Sequence, residues 1–273
     1  MEVNQEIQRE YNPAHPNYKR WQRAREISDE RAKFVESILS IKVLPEGFKI
    51  LDVGAGEGST SRLLSKKNFV VSLEMKSERI KKISRTDSVQ PIMADSLRLP
   101  FKYGSFNLII LQDVIEHLPI SEGFVNDLSY LLKANGIIYI STPNRLSLLN
   151  IISDPHWGLP FLSLFKRDQI KKYFLKNFRK SDYRRNDIAE LFSLKELFDL
   201  FNEKFSLTIC TKYSVEYLLN GGKGLVWSNF HLRLVKIVNL LGLKRILIGI
   251  ANDKPGMINK FFTPTFYIIL TKE

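Results

Sequence analysis

The stretch "ILDVGAGEGST", residues 50–60, constrains the fold more than any other part of the chain. An apolar run ends at Asp52, and glycines follow on alternate positions at Gly54, Gly56 and Gly58. Glycine lets the backbone turn sharply and approach a ligand with no side chain in the way. The stretch therefore predicts a buried strand, a tight loop that holds a ligand, and a helix.

Strand and helix patterns alternate after this loop. Strands are predicted at "FKILDVG", "FVVSLEM", "VQPIMADS", "FNLIILQDVIEHL" and "NGIIYISTP", with helices at "STSRLLSKK", "SERIKKISR" and "EGFVNDLSYLLK". This alternation is typical of an α/β fold with a parallel sheet and helices on both faces. Ligands in such folds bind at the carboxyl ends of the strands.

Helical spacing of apolar residues predicts one amphipathic helix over residues 18–40. Beyond Pro143 the alternation stops and basic residues accumulate, but "SLKELFDLFNEK", "FSLTICTKY" and "TPTFYIILTK" predict a further helix and two strands. The expected division is an N-terminal helical segment over the cofactor site, a cofactor-binding core, a basic cap insertion, a core helix and strand, a second basic insertion and a last core strand. The corresponding residues are 1–45, 46–144, 145–192, 193–213, 214–262 and 263–273.

The net charge of +12 is concentrated in the two insertions. Residues 145–192 contain ten cations against five anions, and residues 214–262 contain seven cations against Glu216 and Asp253. The second insertion also places Trp227 and Phe230 among basic and aliphatic residues. A basic amphipathic helix of this kind can lie in a membrane interface, and it can equally form a lid packed on the cap insertion.

Cysteine content and the N-terminus bear on location. Cys210 is the only cysteine, which excludes an internal disulfide, and its place in "FSLTICTKY" predicts an inert core or strand residue. The N-terminus is polar, with no apolar stretch typical of a signal peptide. We expect a cytoplasmic protein, with peripheral attachment to a membrane as an alternative.

The loop departs from a nicotinamide-binding loop, since Ser59 stands where that motif has its third glycine. Its D-x-G-x-G-x-G pattern instead resembles the first motif of the class I S-adenosylmethionine-dependent methyltransferases. Glu74 at the end of the second strand, "MADSLRLPF", "FNLIILQDVIEHLP" and "LLKANGIIYIST" resemble later motifs of that family, so the resemblance covers about residues 48–144.

This resemblance implies a Rossmann-like, seven-stranded sheet, mostly parallel, with an antiparallel last strand. It implies an S-adenosyl-L-methionine-dependent methyltransferase with S-adenosyl-L-homocysteine as product. A carboxylate at Asp52 can meet the ammonium group of that cofactor, Glu74 its ribose hydroxyls and Asp95 its adenine. The implied cofactor-binding residues are Asp52, Gly54, Ala55, Gly56, Gly58, Glu74, Met75, Asp95, Ser96 and Gln112.

Catalytic candidates follow the fourth strand, in "QDVIEH", and they are Asp113 and His117 beside Glu116. The segment resembles the E-x-x-E-H motif of the ubiquinone-pathway O-methyltransferases, which implies a magnesium ion there. Asp113 replaces the first glutamate of that motif, so we assign no metal ligand and leave magnesium as an alternative. Glu116 and His117 can also simply stabilise the start of the next helix.

His156, in "SDPHWGLPFLSLF", is the third catalytic candidate, because substrate-binding insertions follow the fifth strand in this family. The alternative is that His156 caps a helix while Trp157 packs beneath it. Asn144 and Arg145 are weaker candidates for acceptor binding. Tyr11, Tyr18 and Trp21 belong to the segment expected over the cofactor.

The expected reaction is methylation of an oxygen on a small-molecule, lipid-linked or glycan acceptor, and the basic insertions favour an anionic one. Gln112-Asp113-Val114-Ile115 lacks the Pro-Pro pattern of base-amino methyltransferases, which makes nucleic acid a less favoured partner. The alternatives are an RNA ribose or cap methyltransferase and a non-catalytic cofactor-binding regulatory subunit. An aminopropyltransferase and a nicotinamide oxidoreductase are further rivals.

Overall fold

The structure is a computed structural model that describes residues 12–43, 45–185, 187–225 and 229–272. Tyr11 and Trp227, named above, lie outside these residues, as does the side chain of Phe230. Residues 1–11 and 44 of the segment expected to cover the cofactor also lie outside the described residues, as do residues 226–228 of the second insertion.

One seven-stranded sheet forms the centre of the molecule, in the order β3-β2-β1-β4-β5-β7-β6. The first five strands pair in parallel, whereas β7 runs antiparallel to both β5 and β6. This confirms the predicted α/β fold and its antiparallel last strand. The strands are β1 Lys49–Val53, β2 Phe69–Glu74, β3 Val89–Met93, β4 Phe106–Gln112, β5 Leu132–Pro143, β6 Phe205–Ile209 and β7 Thr265–Lys272.

Helices cover both faces of the sheet. The α-helices in the described part of the chain are α1 Tyr18–Glu26, α2 Ser28–Lys42, α3 Ser59–Leu64, α4 Ser77–Ile80, α5 Glu122–Leu131, α6 Leu148–Ile152, α7 (Arg167–Gln169, a π-helical turn Ile170–Leu175 and Lys176–Phe178 in succession), α8 Leu194–Phe201, α9 Thr211–Leu219, α10 Asn229–Leu240 and α11 Lys244–Ile250. Short 3-10 turns lie at Ile115–His117, Leu162–Leu164 and Lys180–Asp182, and a π-helical turn lies at Ile258–Phe262.

Side chains on opposite faces of each strand build two apolar cores. One core packs α5 and α8 on Leu51, Ile109 and Ile138, and the other packs α2 on Ile50, Leu108 and Tyr139. Since successive strand residues point to opposite faces, strands buried on both sides need apolar residues at nearly every position. The apolar runs seen in the sequence meet that need.

The bounds of several predicted elements differ in the structure. The single helix expected over residues 18–40 is divided into α1 and α2 at Ile27, whose side chain is buried. The strand predicted over "FSLTICTKY" ends at Ile209, and α9 begins at Thr211, across the boundary expected at residue 213. Cys210 lies buried between the two elements, after the strand.

The cap insertion has a small apolar core of its own, centred on Trp157, Phe174 and Leu175. The N-terminal segment packs onto it: the ring of His15 stacks on Trp21, and His15 Nε2 lies 3.2 Å from Asp182 Oδ1. The N-terminal segment and the cap insertion therefore form one layer beside the carboxyl ends of the strands.

No helix in the parts of the chain that the structure describes combines the length and the apolar character needed to cross a membrane.

Candidate functional site

The glycine loop leaves β1 at the carboxyl edge of the sheet. Gly54, Gly56 and Gly58 all have positive φ angles, of 68°, 59° and 81°, which L-residues with a side chain rarely adopt. A Cβ atom on Gly58 would lie 2.9 Å from Ile83, whereas one on Gly56 would meet nothing within 4 Å. The loop is therefore packed against Ile83, which follows α4, on one side and is open at Gly56 on the other.

Asp52 lies beneath the loop with only 2% of its surface exposed. Its Oδ2 accepts a hydrogen bond from Ser61 Oγ at 2.6 Å, and Ser61 Oγ in turn accepts one from Ser72. Burial raises the pKa of this carboxyl to about 6, although the hydrogen bond from Ser61 opposes the shift. A nearby cation would favour the ionised form of this carboxyl.

Glu74 ends β2 and holds the loop in place. Its Oε2 accepts a hydrogen bond from the backbone N–H of Gly56 at 3.0 Å, and its Oε1 accepts one from Lys76 N–H at 2.9 Å. Each carboxylate oxygen retains a further lone pair. Met75, the next residue, is 57% exposed beside this carboxylate.

The remaining expected cofactor residues lie at the ends of β3 and β4. Asp95 is exposed and accepts a hydrogen bond from Leu97 N–H at 2.9 Å, so it caps the turn that contains Ser96. Gln112 accepts a hydrogen bond from Thr60 of α3 through its Oε1 at 2.8 Å. The ends of β1 to β4 thus present glycine, carboxylate and amide groups along one edge.

This edge fits S-adenosylmethionine. Open space at Gly56 leaves room for a ligand, Asp52 offers a carboxyl to its ammonium group, and Glu74 has lone pairs for its ribose hydroxyls. The carboxyl groups of Asp52, Glu74 and Asp95 would hold the cofactor, and no phosphate-binding cation lies in the loop.

Asp113 follows β4 in a left-handed conformation, with φ of 54°. Its Oδ2 forms an ion pair with Arg31 of α2, and its Oδ1 accepts a hydrogen bond from Ser141 of β5 at 2.8 Å. Tyr139 and Tyr267 lie near the buried Arg31 guanidinium. Since both carboxylate oxygens have partners, Asp113 is better placed to position β4, β5 and α2 than to accept a proton.

Glu116 is completely buried in the 3-10 turn that follows. Its Oε2 accepts a hydrogen bond from Thr142 at 3.0 Å, and its Oε1 has no hydrogen-bond partner among the described residues. That Oε1 lies 4.0 Å from Nε2 of His156. Burial, and then the charge of Asp113, raise the pKa of Glu116 above its ordinary range, so the carboxyl holds a proton near neutral pH.

His117 lies next to this carboxyl, with Nδ1 2.8 Å from the backbone oxygen of Asp187. Because a carbonyl oxygen only accepts hydrogen bonds, Nδ1 carries the hydrogen and Nε2 carries the lone pair. Burial lowers the pKa of this imidazole, which keeps it neutral. His117 is therefore in the form that a proton acceptor requires.

His156 projects from the cap insertion, and its ring centre lies 5.1 Å from that of His117. Asp154 Oδ1 accepts hydrogen bonds from the backbone N–H groups of His156 and Trp157, both at 2.8 Å, and so fixes the turn. Nδ1 of His156 is buried with no hydrogen-bond partner among the described residues. Burial, and then the proximity of His117, lower the pKa of His156 well below its usual value.

Glu116, His117 and His156 thus place one carboxylate oxygen and two imidazole nitrogens within 4.8 Å of one another. We call these three residues the histidine cluster. Magnesium prefers a shell of oxygen ligands, and Asp113, the other nearby carboxylate, is paired with Arg31. The structure gives no support to the magnesium alternative.

The cap insertion holds the histidine cluster through the backbone. The carbonyl oxygen of Glu116 accepts hydrogen bonds from Glu190 N–H at 2.8 Å and from Arg167 Nη2 at 3.1 Å. The guanidinium of Arg185 lies 5.7 Å from the Trp157 ring centre and 5.8 Å from that of Trp21. The segment expected to bind acceptor therefore also fixes the turn that carries Glu116.

Asn144 and Arg145 have structural roles here. The Asn144 amide donates hydrogen bonds to three backbone oxygens of the segment that leads into β7, the shortest at 2.8 Å to Thr263. Arg145 is ion-paired with Glu196 at 2.6 Å and Glu190 at 3.4 Å. Both side chains are buried, and these contacts join the two insertions to the core.

Sequence reasoning did not identify Arg31, Asp187 or Arg167 as neighbours of the site. Arg31 is one cation among several in residues 18–40, and Asp187 acts through its backbone oxygen. No local pattern distinguishes either residue. Arg167 is one of ten cations in the cap insertion, and the sequence does not distinguish it from the others.

Comparison with known proteins gives the family. A family model described as a methyltransferase domain matches residues 18–204, which is more than half of the chain. A ubiquinone biosynthesis O-methyltransferase of Caulobacter vibrioides is 31% identical over 108 residues, covering 37% of this chain and 42% of that protein. A 2-methyl-6-phytyl-1,4-hydroquinone methyltransferase of Synechocystis is 25% identical over 131 residues, covering 45% and 41%.

The match spans about two fifths of the length of these two relatives. Among solved structures, an S-adenosylmethionine-dependent methyltransferase from Mesorhizobium loti has a TM-score of 0.54 at 12% identity, covering 88% of this chain and 98% of that one. A possible histamine N-methyltransferase from Thermotoga maritima has a TM-score of 0.51 at 18% identity, covering 91% and 93%. These two structures share the fold. The chain therefore belongs to the methyltransferase domain family and is a member of the S-adenosylmethionine-dependent methyltransferases.

Proposed function

We propose that the protein transfers a methyl group from S-adenosylmethionine to a hydroxyl oxygen. The observation that carries this proposal is the histidine cluster, where two neutral imidazoles lie beside a buried carboxyl at the carboxyl end of β4. The cofactor, when bound, would supply a sulfonium methyl group, and an oxygen nucleophile that bonds to the methyl carbon displaces S-adenosylhomocysteine as the leaving group.

The contribution of this chain is a proton acceptor. A hydroxyl is a weak nucleophile until its proton is removed, and a positioned neutral imidazole can remove it. His117 has a defined tautomer with its lone pair on Nε2, and His156 lies beside it. The hydroxyl proton passes to this imidazole pair as the oxygen bonds to the methyl carbon, and the adjacent Glu116 carboxyl interacts with the imidazolium that forms.

Two observations support a small-molecule, lipid-linked or glycan acceptor of anionic character. The relatives named above are methyltransferases named for ubiquinone biosynthesis and for a phytyl hydroquinone. The cap insertion beside the histidine cluster carries ten cations against five anions. A basic surface raises the local concentration of anionic acceptors.

A screen with radiolabelled S-adenosylmethionine against lipid and water-soluble extracts tests this function. We expect methyl incorporation into one extract, an ether- or ester-linked methyl group in the product, and loss of the activity by about 100-fold in His117→Gln and His156→Gln. Calorimetry should show unchanged S-adenosylhomocysteine affinity in both variants. His15→Gln, a buried histidine paired with Asp182 in the N-terminal layer, is the matched control that retains turnover.

The other outcomes separate the alternatives. A methylamine product would show that the acceptor atom is nitrogen and not oxygen. Transfer of the label to RNA would favour the ribose or cap reaction. Cofactor binding without turnover in any extract would favour the regulatory subunit. Loss of activity on chelation, restored by added metal, would overturn the proton-transfer role of the histidine cluster.

A further inference from the structure

The helical hairpin of α10 and α11 takes no part in the proposed reaction. We define it as residues 229–250, which comprise Asn229–Leu240, a turn and Lys244–Ile250. Gly242 forms the turn with φ of 68°, and Leu243 N–H donates to Val238 O at 3.0 Å. Both helices contact α9, and Lys244 donates a hydrogen bond to Asn220.

None of the hairpin side chains from residue 232 to residue 250 is buried, although most of them are apolar. Leu240 is 86% exposed, Leu241 63% and Ile246 58%. The apolar residues concerned are Leu232, Leu234, Val235, Ile237, Val238, Leu240, Leu241, Leu243, Ile246, Leu247, Ile248 and Ile250. Exposed apolar side chains in this number on one hairpin are typical of an interaction site, because water is a poor solvent for them.

The charges of the hairpin all have one sign. Arg233, Lys236, Lys244 and Arg245 lie among the apolar residues, and residues 229–250 contain no aspartate or glutamate. In a two-fold dimer formed through this surface, the same cations would face each other, which opposes self-association. An anionic lipid surface instead offers negative headgroups to the cations and acyl chains to the leucines.

Further exposed apolar side chains lie on the segment after the hairpin and on the cap insertion. Downstream of the hairpin, Met257 is 68% and Phe262 58% exposed. The π-helical turn Ile258–Phe262 contacts α6, where Ile152 is 69% exposed. The backbone N–H of Phe161 donates a hydrogen bond to the backbone oxygen of Ile151, and the side chain of Phe161 is 61% exposed. The cap insertion that carries His156 therefore shares an apolar rim with the segment after the hairpin.

We propose that the hairpin docks the protein on an anionic membrane surface, with its two helices in the plane of the interface. α10 has 12 residues and α11 has 7, so each is shorter than a helix that spans a bilayer. Docking does not depend on the proposed reaction. A second step, that the acceptor is a lipid-linked hydroxyl compound, does rest on the proposed reaction. It follows from docking because the apolar rim of the cap insertion that carries His156 would face the lipid.

Vesicle flotation with the full chain tests docking. The probes are phosphatidylcholine vesicles with and without phosphatidylserine. We expect flotation only with phosphatidylserine, and progressive release as salt is raised, because headgroup attraction is screened. Leu240→Ser/Ile246→Ser should reduce binding about tenfold or more, since both side chains lose their insertion into the interface. Lys236→Gln/Arg245→Gln should weaken binding and flatten its salt dependence.

Matched controls use equally exposed residues elsewhere. Ile41→Ser, at a residue 61% exposed, and Lys66→Gln/Lys67→Gln on another face should float like the unaltered protein. Absence of flotation with anionic vesicles would overturn the proposal, as would equal losses in the control variants. A dimer that Leu240→Ser/Ile246→Ser converts to a monomer, without vesicle binding, would assign the surface to a second copy.

The two proposals fail separately. S-adenosylhomocysteine binding, measured by calorimetry without vesicles, reports on the cofactor site alone, and flotation is scored without cofactor or acceptor. If the protein floats with vesicles but methylates only a water-soluble acceptor, the docking proposal stands and the lipid-linked acceptor is ruled out.

Discussion

Arg31 of α2 forms an ion pair with Asp113 at the carboxyl end of β4, and both side chains are mostly buried, with 17% and 16% exposed. The pair joins the N-terminal segment to the strand that carries the histidine cluster. The other carboxylate oxygen of Asp113, Oδ1, accepts a hydrogen bond from Ser141 of β5. An acid that the sequence suggested as catalytic thus forms part of the framework around the cluster, and its role in turnover stays a prediction.

Arg31→Ala should destabilise the fold by about 3 kcal/mol, because it leaves the Asp113 carboxylate buried without its cation. Urea unfolding followed by circular dichroism measures the change. Arg62→Ala removes a matched but exposed ion pair to Asp29 on the neighbouring surface, and it should change stability little. Equal effects of the two substitutions would show that the Arg31 pair is no more important than a surface pair.

Glu74→Ala and Asp95→Ala should each weaken S-adenosylhomocysteine binding by about 1–3 kcal/mol, since each removes hydrogen bonds to a polar group of the ligand. Glu74→Ala should have the larger effect, because it also releases the backbone N–H of Gly56. Calorimetry measures both. Asp87→Ala, an exposed acid ahead of β3, is the control, and unchanged affinity in both site variants would contradict the assignment.

Cofactor affinity should depend on pH through Asp52, whose pKa burial raises to about 6. The ionised carboxylate attracts the ammonium group of the ligand, so affinity should fall about tenfold per pH unit below that pKa. Calorimetry with S-adenosylhomocysteine between about pH 5 and pH 8 tests this. Asp52→Asn should bind more weakly above the pKa and lose the dependence.

The same carboxyl predicts an opposite trend in the stability of the ligand-free protein. Its folded pKa of about 6 exceeds the ordinary value of 3.8, so the folded state binds more protons than the unfolded state between these values. The contribution of Asp52 to stability is then present below this window and is lost as pH rises through it. Asp52→Asn should remove that loss, and urea unfolding at several pH values measures it.

The sheet and the loop could be predicted from the sequence because their signals are local. Alternating apolar strands and helices, and the glycines at 54, 56 and 58, specify backbone conformations that depend little on distant residues. The positive φ angles at all three glycines agree with that prediction. The same locality explains why Glu74 lies at a strand end as expected.

The neighbours of the histidine cluster could not be predicted in this way. Arg31 pairs with Asp113, which lies 82 positions further along the chain. The helix divides at Ile27, and a regular apolar pattern gives no sign of that division. His117 and His156 are 39 positions apart, and the cap insertion that joins them has its own core. Long-range packing of an irregular segment decides these contacts, and short sequence patterns do not report it.

Asp154 is a positioning residue for His156, and its substitution tests whether the turn matters to turnover. Asp154→Ala removes the acceptor of two backbone hydrogen bonds and should displace His156, with a loss of kcat of about 100-fold and unchanged S-adenosylhomocysteine affinity. Burial raises the Asp154 pKa to about 6. Asp154→Asn retains an oxygen acceptor of the same shape and should restore most of the rate.

A purely structural role for Asp154 would lower the stability of Asp154→Ala and reduce kcat and cofactor affinity together, so unfolding and calorimetry are measured alongside the rate. Gly158→Ala provides a second perturbation of the same turn, because Gly158 has φ of 71° and an added Cβ would lie 2.0 Å from Arg20 Nη2. If both Asp154→Ala and Gly158→Ala turn over like the unaltered protein, the position of His156 does not determine the rate. Proton transfer would then be left to His117 alone.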